Sequence, residues 1–541
     1  MDNWTDPTGK SADKPHILVA DNIAASGVDL LRQHGDVEVT VAPGLPPDAL
    51  LDAIPRYDGL IVRSATKVTA DLIEAATSMK IIGRAGIGVD NIDVDAATRH
   101  GIIVMNTPEG NMNTAAEHTI SMLLALSRFI PQASAEVKSG RWERQKFLGV
   151  EVVNKVLGVI GLGRIGSLVV RKAQGLGMQT VAYDPYIASD AAQNLGVEIL
   201  DLPEVLRRAD YLTVHTPSTS ETRALIGAEE LQLMRRGAFV INCARGGIID
   251  EAALHEALVQ GTVAGAALDV FEEEPPPADH PLLQLDNVIC TPHLGAQTEE
   301  AQERVAIGVA EQMLDFFRHG QIKNAVNMPN LDAESYRALQ PYLALGTKLG
   351  AFQVQLLEGG LTDVTVSYSG DVAALGIKPI TAAVLHGILG HFLGPQVNPV
   401  NAPLLARERR IRVVERQQQE REDYASLIEV EIGTDRQRGS IAGTLFGKGD
   451  AWIVQLDHFP IEAVPEGHML VFSNQDIPGV VGRIGTILGN AQINIAGFRL
   501  GRLEPNGTAV CVVNVDSAIP LDILEAIRAL PNLIYAKTVQ V

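Results

Sequence analysis

His293 stands in Thr-Pro-His-Leu-Gly, directly after the apolar run Val288–Thr291. Arg245 stands in Asn-Cys-Ala-Arg-Gly-Gly after the run Ala238–Asn242, and Glu274 closes the acidic run Glu272–Glu274 before Pro275. Each therefore follows a strand-like run. An imidazole, with its ordinary pKa of about 6.5, can both remove and return a proton at neutral pH. A carboxylate paired with it stabilises the imidazolium and fixes the tautomer. A guanidinium offers a planar fork to a carboxylate. The three suit hydride removal from a secondary alcohol beside a carboxylate, which needs a base for the hydroxyl proton and a cation for the acid group. A lone histidine is more often structural, and it is the company of Arg245 and Glu274 that reverses that reading. Glu272 and Glu273 read as a solvated acidic turn.

A hydride acceptor has its own signature. Gly161, Gly163 and Gly166 form Gly-Leu-Gly-Arg-Ile-Gly after the apolar strand Val156–Ile160 and open a helical segment. The first glycine permits a tight turn, the second lets backbone approach a pyrophosphate, and the third allows close helix–strand packing. The free N–H groups of the helix start then hold the anion. Asp184 ends the next strand, where it can accept hydrogen bonds from ribose hydroxyls; Pro185 follows, with no Arg for a 2′-phosphate, so NAD is favoured over NADP. Asp269, in Ala-Leu-Asp-Val-Phe, reads either as a turn cap or as an acceptor for the nicotinamide carboxamide.

These residues need a scaffold, and the alternation around them supplies one. From His16 to about Arg318, short β-branched runs alternate with helical stretches, which predicts parallel sheets with right-handed crossovers. The expected class is α/β with two lobes. A helix over Ala115–Phe129 leaves the first lobe and one over Thr298–His319 returns to it, which makes that lobe discontinuous and sets a cleft between the two. After Asn330 the strand-like segments surround a charged, Gln-rich stretch from Ala406 to Asp423, expected as an exposed helix. From His468 the order is β-α-β-β-α-β, a small ferredoxin-like module.

The 541-residue length implies about three to five domains. The balance of 44 Lys+Arg against 65 Asp+Glu gives −21 and argues against nucleic-acid or anionic-membrane partners. Three dispersed cysteines, Cys243, Cys290 and Cys511, indicate neither a disulfide framework nor a metal site, and point to a reducing, cytoplasmic compartment. The first fourteen residues, with three Asp and no apolar run, read as a solvated tail. Pro379–Ala406 carries no Asp, Glu, Lys or Arg, but its histidines and Gly/Pro breaks favour a buried helix and loop over a membrane span.

Taken in order, GLGRIG, the His215–Pro217 triplet, NCARGG, ALDVF with its following EPP, and PHLGAQT resemble the D-isomer-specific 2-hydroxyacid dehydrogenases. IVRSATKVT around Arg63, GRAGIGVDNID around Arg84 and NTPEGN at Asn106–Asn111 are similar to the branch of that family acting on D-3-phosphoglycerate. The resemblance implies Arg245, Glu274 and His293 as catalytic residues. It implies NAD contacts from Arg164, Ile165, Asp184, Thr216, Cys243, Ala244, Asp269, His293 and Ala296. Some relatives have a cofactor-contacting Thr where this chain has Ile87, so no hydroxyl contact is available there. Arg63 and Arg84, with Ser64, Gly86 and Asn111, would receive the substrate and its phosphate through charge-assisted bonds.

The implied architecture is a Rossmann-type NAD domain (111–292) inserted in a flavodoxin-like substrate domain (15–110 and 293–330). An α+β intervening domain (331–460) and a ferredoxin-like ACT domain (468–541) follow. The segment FSNQDIPGVVGRIGTIL is similar to ACT modules that bind amino acids between paired copies. It makes Asn474, Asp476 and Asn494 candidate contacts for L-serine, against the plainer reading of a dimerisation module in which Asp476 caps a helix. The implied activity is NAD-dependent oxidation of D-3-phosphoglycerate to 3-phosphohydroxypyruvate, regulated by serine, in a homodimer or homotetramer. Two alternatives stay open: another D-2-hydroxyacid dehydrogenase of the glyoxylate or hydroxypyruvate type, and a non-catalytic NAD(H)-sensing protein on the same fold. NADH formation from 3-phosphoglycerate against other 2-hydroxy acids separates all three.

Overall fold

The computed structural model describes residues 14–33, 35–329, 333–418, 424–447 and 449–541. The expected N-terminal tail, apart from Lys14, lies outside the described residues. The chain divides into two compact units: one holds the chain up to Asn22, Val28–Asn106 and Val309–Val541, the other Ile23–Gly27 and Thr107–Gly308.

In the first unit the strands β1 (His16–Val19), β2 (Glu38–Val41), β3 (Gly59–Val62), β4 (Ile81–Arg84) and β5 (Ile103–Asn106) form one sheet. All pairings are parallel, in the order β2-β1-β3-β4-β5. This is the flavodoxin-like winding. Every residue of β3 is buried, as a parallel strand covered on both faces requires. The helix Glu299–His319 lies close to the sheet because glycine faces it: a Cβ on Gly83 would meet Val309 at 2.6 Å and one on Gly59 would meet Met313 at 2.7 Å.

The second unit holds β6 (Val156–Ile160), β7 (Gln179–Tyr183), β8 (Glu198–Ile199), β9 (Tyr211–Val214), β10 (Ala238–Asn242), β11 (Val263–Leu268) and β12 (Val288–Cys290). The order β12-β11-β10-β9-β6-β7-β8 is parallel throughout and reverses between β6 and β9. That is the doubly wound Rossmann arrangement, whose ligands bind at the carboxyl ends beside the reversal. The helix expected over Ala115–Phe129 runs from Met112 to Ser127, with Met122, Leu123 and Leu126 in the core of this sheet.

Beyond residue 333 the first unit continues with β13 (Leu361–Gly370), β14 (Arg412–Gln418), β15 (Ser426–Thr434), β16 (Arg438–Phe446), β17 (Asp450–Leu456) and β18 (Phe459–Ala463), ordered β14-β13-β15-β16-β17-β18. Only β13 and β14 pair in parallel. Two helices, Ala333–Gln355 and Ile377–Leu393, interlock through glycine: a Cβ on Gly350 would lie 2.3 Å from the Val384 carbonyl oxygen, and one on Gly387 would lie 2.1 Å from that of Thr347. The uncharged stretch from Pro379 thus enters a buried helix, as expected. The helix expected over Ala406–Asp423 is corrected: a short helix ends at Glu408, Arg410 turns left-handed at φ +59°, and Arg412–Gln418 is the edge strand β14. Charged side chains at a sheet edge discourage pairing with other chains, which suits this composition to a strand as well as to a helix. Residues 419–423 lie outside the described residues.

The Val-Asn-Pro-Val-Asn segment ties this region to the first sheet's helix Val94–Arg99. Asn398 Nδ2 donates to the carbonyl of Gly101 at 2.9 Å, and Asn401 Nδ2 to that of Arg99 at 3.3 Å. Side-chain amides here satisfy carbonyls that a helix end leaves without intrahelical partners.

The last module is β19 (His468–Gln475), a helix Val480–Asn490, β20 (Ile495–Arg502), β21 (Thr508–Val515), a helix Leu521–Arg528 and β22 (Leu533–Gln540). Its antiparallel order β20-β21-β19-β22 is ferredoxin-like. Alternation along β19 sends Leu470 and Phe472 toward the module's helices, and Met469 and Val471 into the apolar core of the preceding sheet and helices. Among the described residues, no helix is long and apolar enough to cross a membrane.

Candidate active site

The Gly-rich turn sits where the Rossmann order reverses. Gly161 follows β6 at φ +91°, and a Cβ there would lie 2.9 Å from the carbonyl oxygen of His215, just after neighbouring β9. A Cβ on Gly166 would lie 2.0 Å from the Gly161 carbonyl, so this position requires glycine for the helix Arg164–Gly175 to start so near the strand. Over Gly163 the space is open. Thr216 Oγ1 is buried without a hydrogen-bond partner beside this turn. An open cradle bordered by an orphaned hydroxyl fits a dinucleotide phosphate.

Asp184 is already oriented. Its Oδ2 accepts the Leu162 amide at 2.8 Å and its Oδ1 accepts that of Tyr186 at 2.9 Å, so the carboxylate is fixed against the Gly-rich turn with lone pairs to spare for ribose hydroxyls. Arg164 is exposed and Ile165 half-buried at the helix start. The His215 imidazole is bonded to Thr213 at 3.0 Å, and desolvation holds its pKa down to about 4. Burial, with the nearby Asp269 charge, pushes the Cys243 thiol far above its ordinary range, so any cofactor contact from Cys243 falls to its backbone. Ala244 and Ala296 are both half-buried in the same unit.

The three expected catalytic residues all belong to the second unit, and two are in direct contact. His293 Nδ1 lies 2.8 Å from Glu274 Oε2, and Glu274 Oε1 accepts the Phe271 amide at 3.2 Å. Burial opposes ionisation of Glu274, but the bond and charge of His293, the Phe271 amide and the charge of Arg245 outweigh it and hold its carboxyl below the ordinary range. Because the carboxylate only accepts, Nδ1 carries a hydrogen and Nε2 is left as the accepting nitrogen. His293 itself has φ +54°, a left-handed backbone uncommon outside glycine.

Arg245 follows β10 in a loop set by Asn242, which sequence reasoning passed over. Asn242 Nδ2 donates to the Arg245 carbonyl at 2.8 Å and its Oδ1 accepts the Ala244 amide at 3.0 Å. Gly246 packs so close to the next loop that a Cβ would lie 1.9 Å from the Phe271 carbonyl. Asp269 is buried, and its carboxylate accepts from Thr291, Leu294 and Gly295, the residues around His293.

In the first unit, Arg63 follows β3 and Arg84 ends β4, and Val62 and Arg84 are partners in register. Both arginines thus rise from the carboxyl edge of one sheet. The Arg63–Thr66 loop is pinned by a buried Asp21, which accepts the Arg63 amide at 2.6 Å and the Thr66 hydroxyl at 2.6 Å, and by Asn91, which donates to the carbonyls of Arg63 and Thr66 at 2.7 Å each. Neither Asp21 nor Asn91 was singled out from sequence. Ser64 in that loop is exposed. Gly86, at φ +144°, lies under the Arg84 guanidinium: a Cβ there would sit 1.5 Å from Nη1. Asn111, in the second unit, immediately precedes the helix Met112–Ser127 and has its Oδ1 buried without a partner.

In the C-terminal module, Asp476 Oδ2 accepts from Arg502 Nη1 at 2.6 Å and Asn494 Nδ2 donates to Asp516 at 2.7 Å. Asn474 is buried, with Nδ2 on the Gln475 carbonyl at 2.7 Å. Gly479 is the N-cap of the following helix and no side chain caps it, so Asp476 does not have the capping role weighed for it.

Comparison with known proteins places these features. Residues 120–295 match the D-isomer specific 2-hydroxyacid dehydrogenase NAD binding domain, 338–457 the D-3-phosphoglycerate dehydrogenase intervening domain, and 468–532 the ACT domain. D-3-phosphoglycerate dehydrogenase of Methanocaldococcus jannaschii is 45% identical over 96% of this chain and 98% of its own. The Bacillus subtilis protein of that name is 41% identical over 97% of this chain and 99% of its own. Among solved structures, the TT0316 protein of Thermus thermophilus superposes with a TM-score of 0.54 at 35% identity, covering 57% of this chain and 99% of that one. D-lactate dehydrogenase of Aquifex aeolicus, complexed with NAD and lactic acid, superposes with a TM-score of 0.51 at 27% identity, covering 58% of this chain and 100% of that one. With a Rossmann sheet that carries the Gly-rich turn, an intervening domain and an ACT module in this order, the chain belongs to the NAD-dependent D-3-phosphoglycerate dehydrogenase family of D-isomer specific 2-hydroxyacid dehydrogenases.

Proposed function

We propose that the protein oxidises D-3-phosphoglycerate to 3-phosphohydroxypyruvate with NAD, the step that commits phosphoglycerate to serine synthesis. The observation that carries this is the His293–Glu274 pair at 2.8 Å, in the unit that also holds Arg245 and the Gly-rich turn. Bound NAD supplies the hydride acceptor. His293 Nε2 takes the hydroxyl proton as the C2 hydrogen leaves as hydride, and Glu274 stabilises the imidazolium that results. Arg245 holds the substrate carboxylate in a bidentate grip. Gly161, Gly163, Gly166, Arg164, Ile165 and Thr216 are assigned to the pyrophosphate side of the cofactor, Asp184 to its ribose, and Cys243, Ala244, Asp269 and Ala296 to the nicotinamide side. Arg63 and Arg84, with Ser64, Gly86 and Asn111, are assigned to the phosphorylated end of the substrate.

The ACT module is assigned to L-serine through Asn474, Asp476 and Asn494. An ammonium group seated on Asp476 would compete with Arg502. A cytoplasmic homodimer or homotetramer accompanies this reading; sedimentation velocity determines the assembly.

The test is NADH formation from 3-phosphoglycerate against D-glycerate and D-lactate, with and without serine. A clear preference for the phosphorylated acid, lost in Arg84→Ala, supports the reading. Equal turnover of D-glycerate, or tight NADH binding with no turnover of any acid, overturns it.

A further inference from the structure

His118 is the one histidine on the helix Met112–Ser127, and none of the roles above uses it. Its Nε2 lies 3.1 Å from Thr291 Oγ1 and 3.1 Å from Asp269 Oδ1. The Thr291 hydroxyl donates to the same Oδ1 at 2.6 Å, so both neighbours of Nε2 present lone pairs and Nε2 must be the donor. Asp269 Oδ1 also accepts the Leu294 amide at 2.7 Å, and Oδ2 accepts the Gly295 amide at 2.8 Å. The Asp269 carbonyl takes the amide of His293 itself at 2.9 Å. The turn that carries the base is therefore wrapped on one buried carboxylate, and His118 completes that carboxylate's shell from a different element.

The turn needs such an anchor. His293 is left-handed at φ +54°, a conformation that costs free energy in a residue with a side chain and persists only when its surroundings impose it. Gly295 allows the close approach, since a Cβ there would lie 3.2 Å from Asp269 Oδ2. A buried carboxylate can serve as an anchor only while its own donors remain in place.

We propose that His118 is a positioning residue for the proton-transfer step: through Thr291 and Asp269 it holds the His293–Gly295 turn in the geometry that presents the imidazole. The proposal rests on His293 being the base, as argued above. His118→Leu removes the donor; His118→Gln places an amide nitrogen near the position of Nε2.

Hydrogen exchange on the cofactor-free protein reads the turn directly, through the amides of residues 293–295, and steady-state kinetics read the consequence. In His118→Leu we expect exchange in that turn to quicken and kcat to fall roughly ten- to a hundredfold, with the KM for phosphoglycerate little changed. His118→Gln is expected to recover most of both losses. Should His118→Leu fold poorly, Thr291→Val breaks the same link and is expected to show the same paired change. Unaltered exchange in a folded His118→Leu or Thr291→Val protein overturns the proposal, as does a fall in kcat without faster exchange or a failure of Gln to rescue. If the wild-type protein fails to turn over phosphoglycerate, the functional reading falls, while the exchange measurement still decides whether His118 anchors the turn.

Discussion

Glu274 makes two bonds with two oxygens: Oε2 meets His293 Nδ1 at 2.8 Å, and Oε1 receives the amide of Phe271 at 3.2 Å. The backbone bond fixes the carboxylate so that its other oxygen can fix the imidazole. Glu274→Gln keeps the shape and removes the charge, and kcat should fall about a hundredfold or more. Glu274 is held below the ordinary carboxylate range, so the pair is intact above that range and is lost as pH falls through the lowered value. A kcat for Glu274→Gln equal to that of wild type would contradict this account.

Gly86 supports Arg84 by having no side chain. In Gly86→Ala the new methyl would occupy the position of the guanidinium, 1.5 Å from Nη1. The KM for phosphoglycerate should rise roughly tenfold, the loss expected for one charge-assisted bond, while the KM for NAD stays put. Equal changes in both constants would argue for a general disturbance instead.

Asp184 gives a cofactor prediction. Its carboxylate is braced on the Leu162 amide at 2.8 Å. Asp184→Ala should raise the KM for NAD about tenfold and narrow the ratio of NAD to NADP efficiency, because a negative charge no longer repels a 2′-phosphate. Isothermal titration with each dinucleotide checks this without turnover.

His215 should make stability fall with acid. Its folded pKa is pushed down to about 4 by desolvation, while the unfolded chain takes its proton near the ordinary value of about 6.5. Between those values the unfolded state binds more protons, so stability declines as pH drops through the window and levels below it. The urea midpoint should therefore fall less between about pH 7 and pH 4.5 in His215→Gln than in wild type. Equal falls in the two proteins would assign the acid sensitivity to another group.

Asn398 and Asn401 contact the carbonyls of Gly101 and Arg99 at 2.9 and 3.3 Å. Each Asn→Ala change should cost about 1 kcal/mol of stability by chemical denaturation, with NAD affinity unchanged.

What the sequence made legible follows from distance along the chain. The apolar runs, the three glycines of the Gly-rich turn and the catalytic trio all signal within a few residues, and the parallel sheets follow from their alternation. The edge strand β8 is two residues long, too short for a period to register. β14 is charged because it is an edge, and its Glu, Gln and Arg content imitates a helix. The supports of the site were hidden for a different reason. His118 and Thr291 lie 173 residues apart, and Asp21 reaches Thr66 across 45. A histidine on the helix Met112–Ser127 was the only local hint of the first, and the aspartate after β1 the only hint of the second.

The alternation of β19 bears on how the chain can be cut. Met469, Val471, Val510, Val512 and Val539 lie in one core with Leu339, Val364 and Ile453 of the preceding domain, while Leu470, Phe472 and Val513 face the other way. A protein ended before His468 would therefore lose more than a ligand-binding appendage: it would strip the cover from an apolar wall, and the excised module would carry the matching wet face. Loss of regulation in such a truncation could not be read as the loss of an effector site alone. Point changes at Asp476 or Asn494, which leave that shared wall closed, are the cleaner instrument.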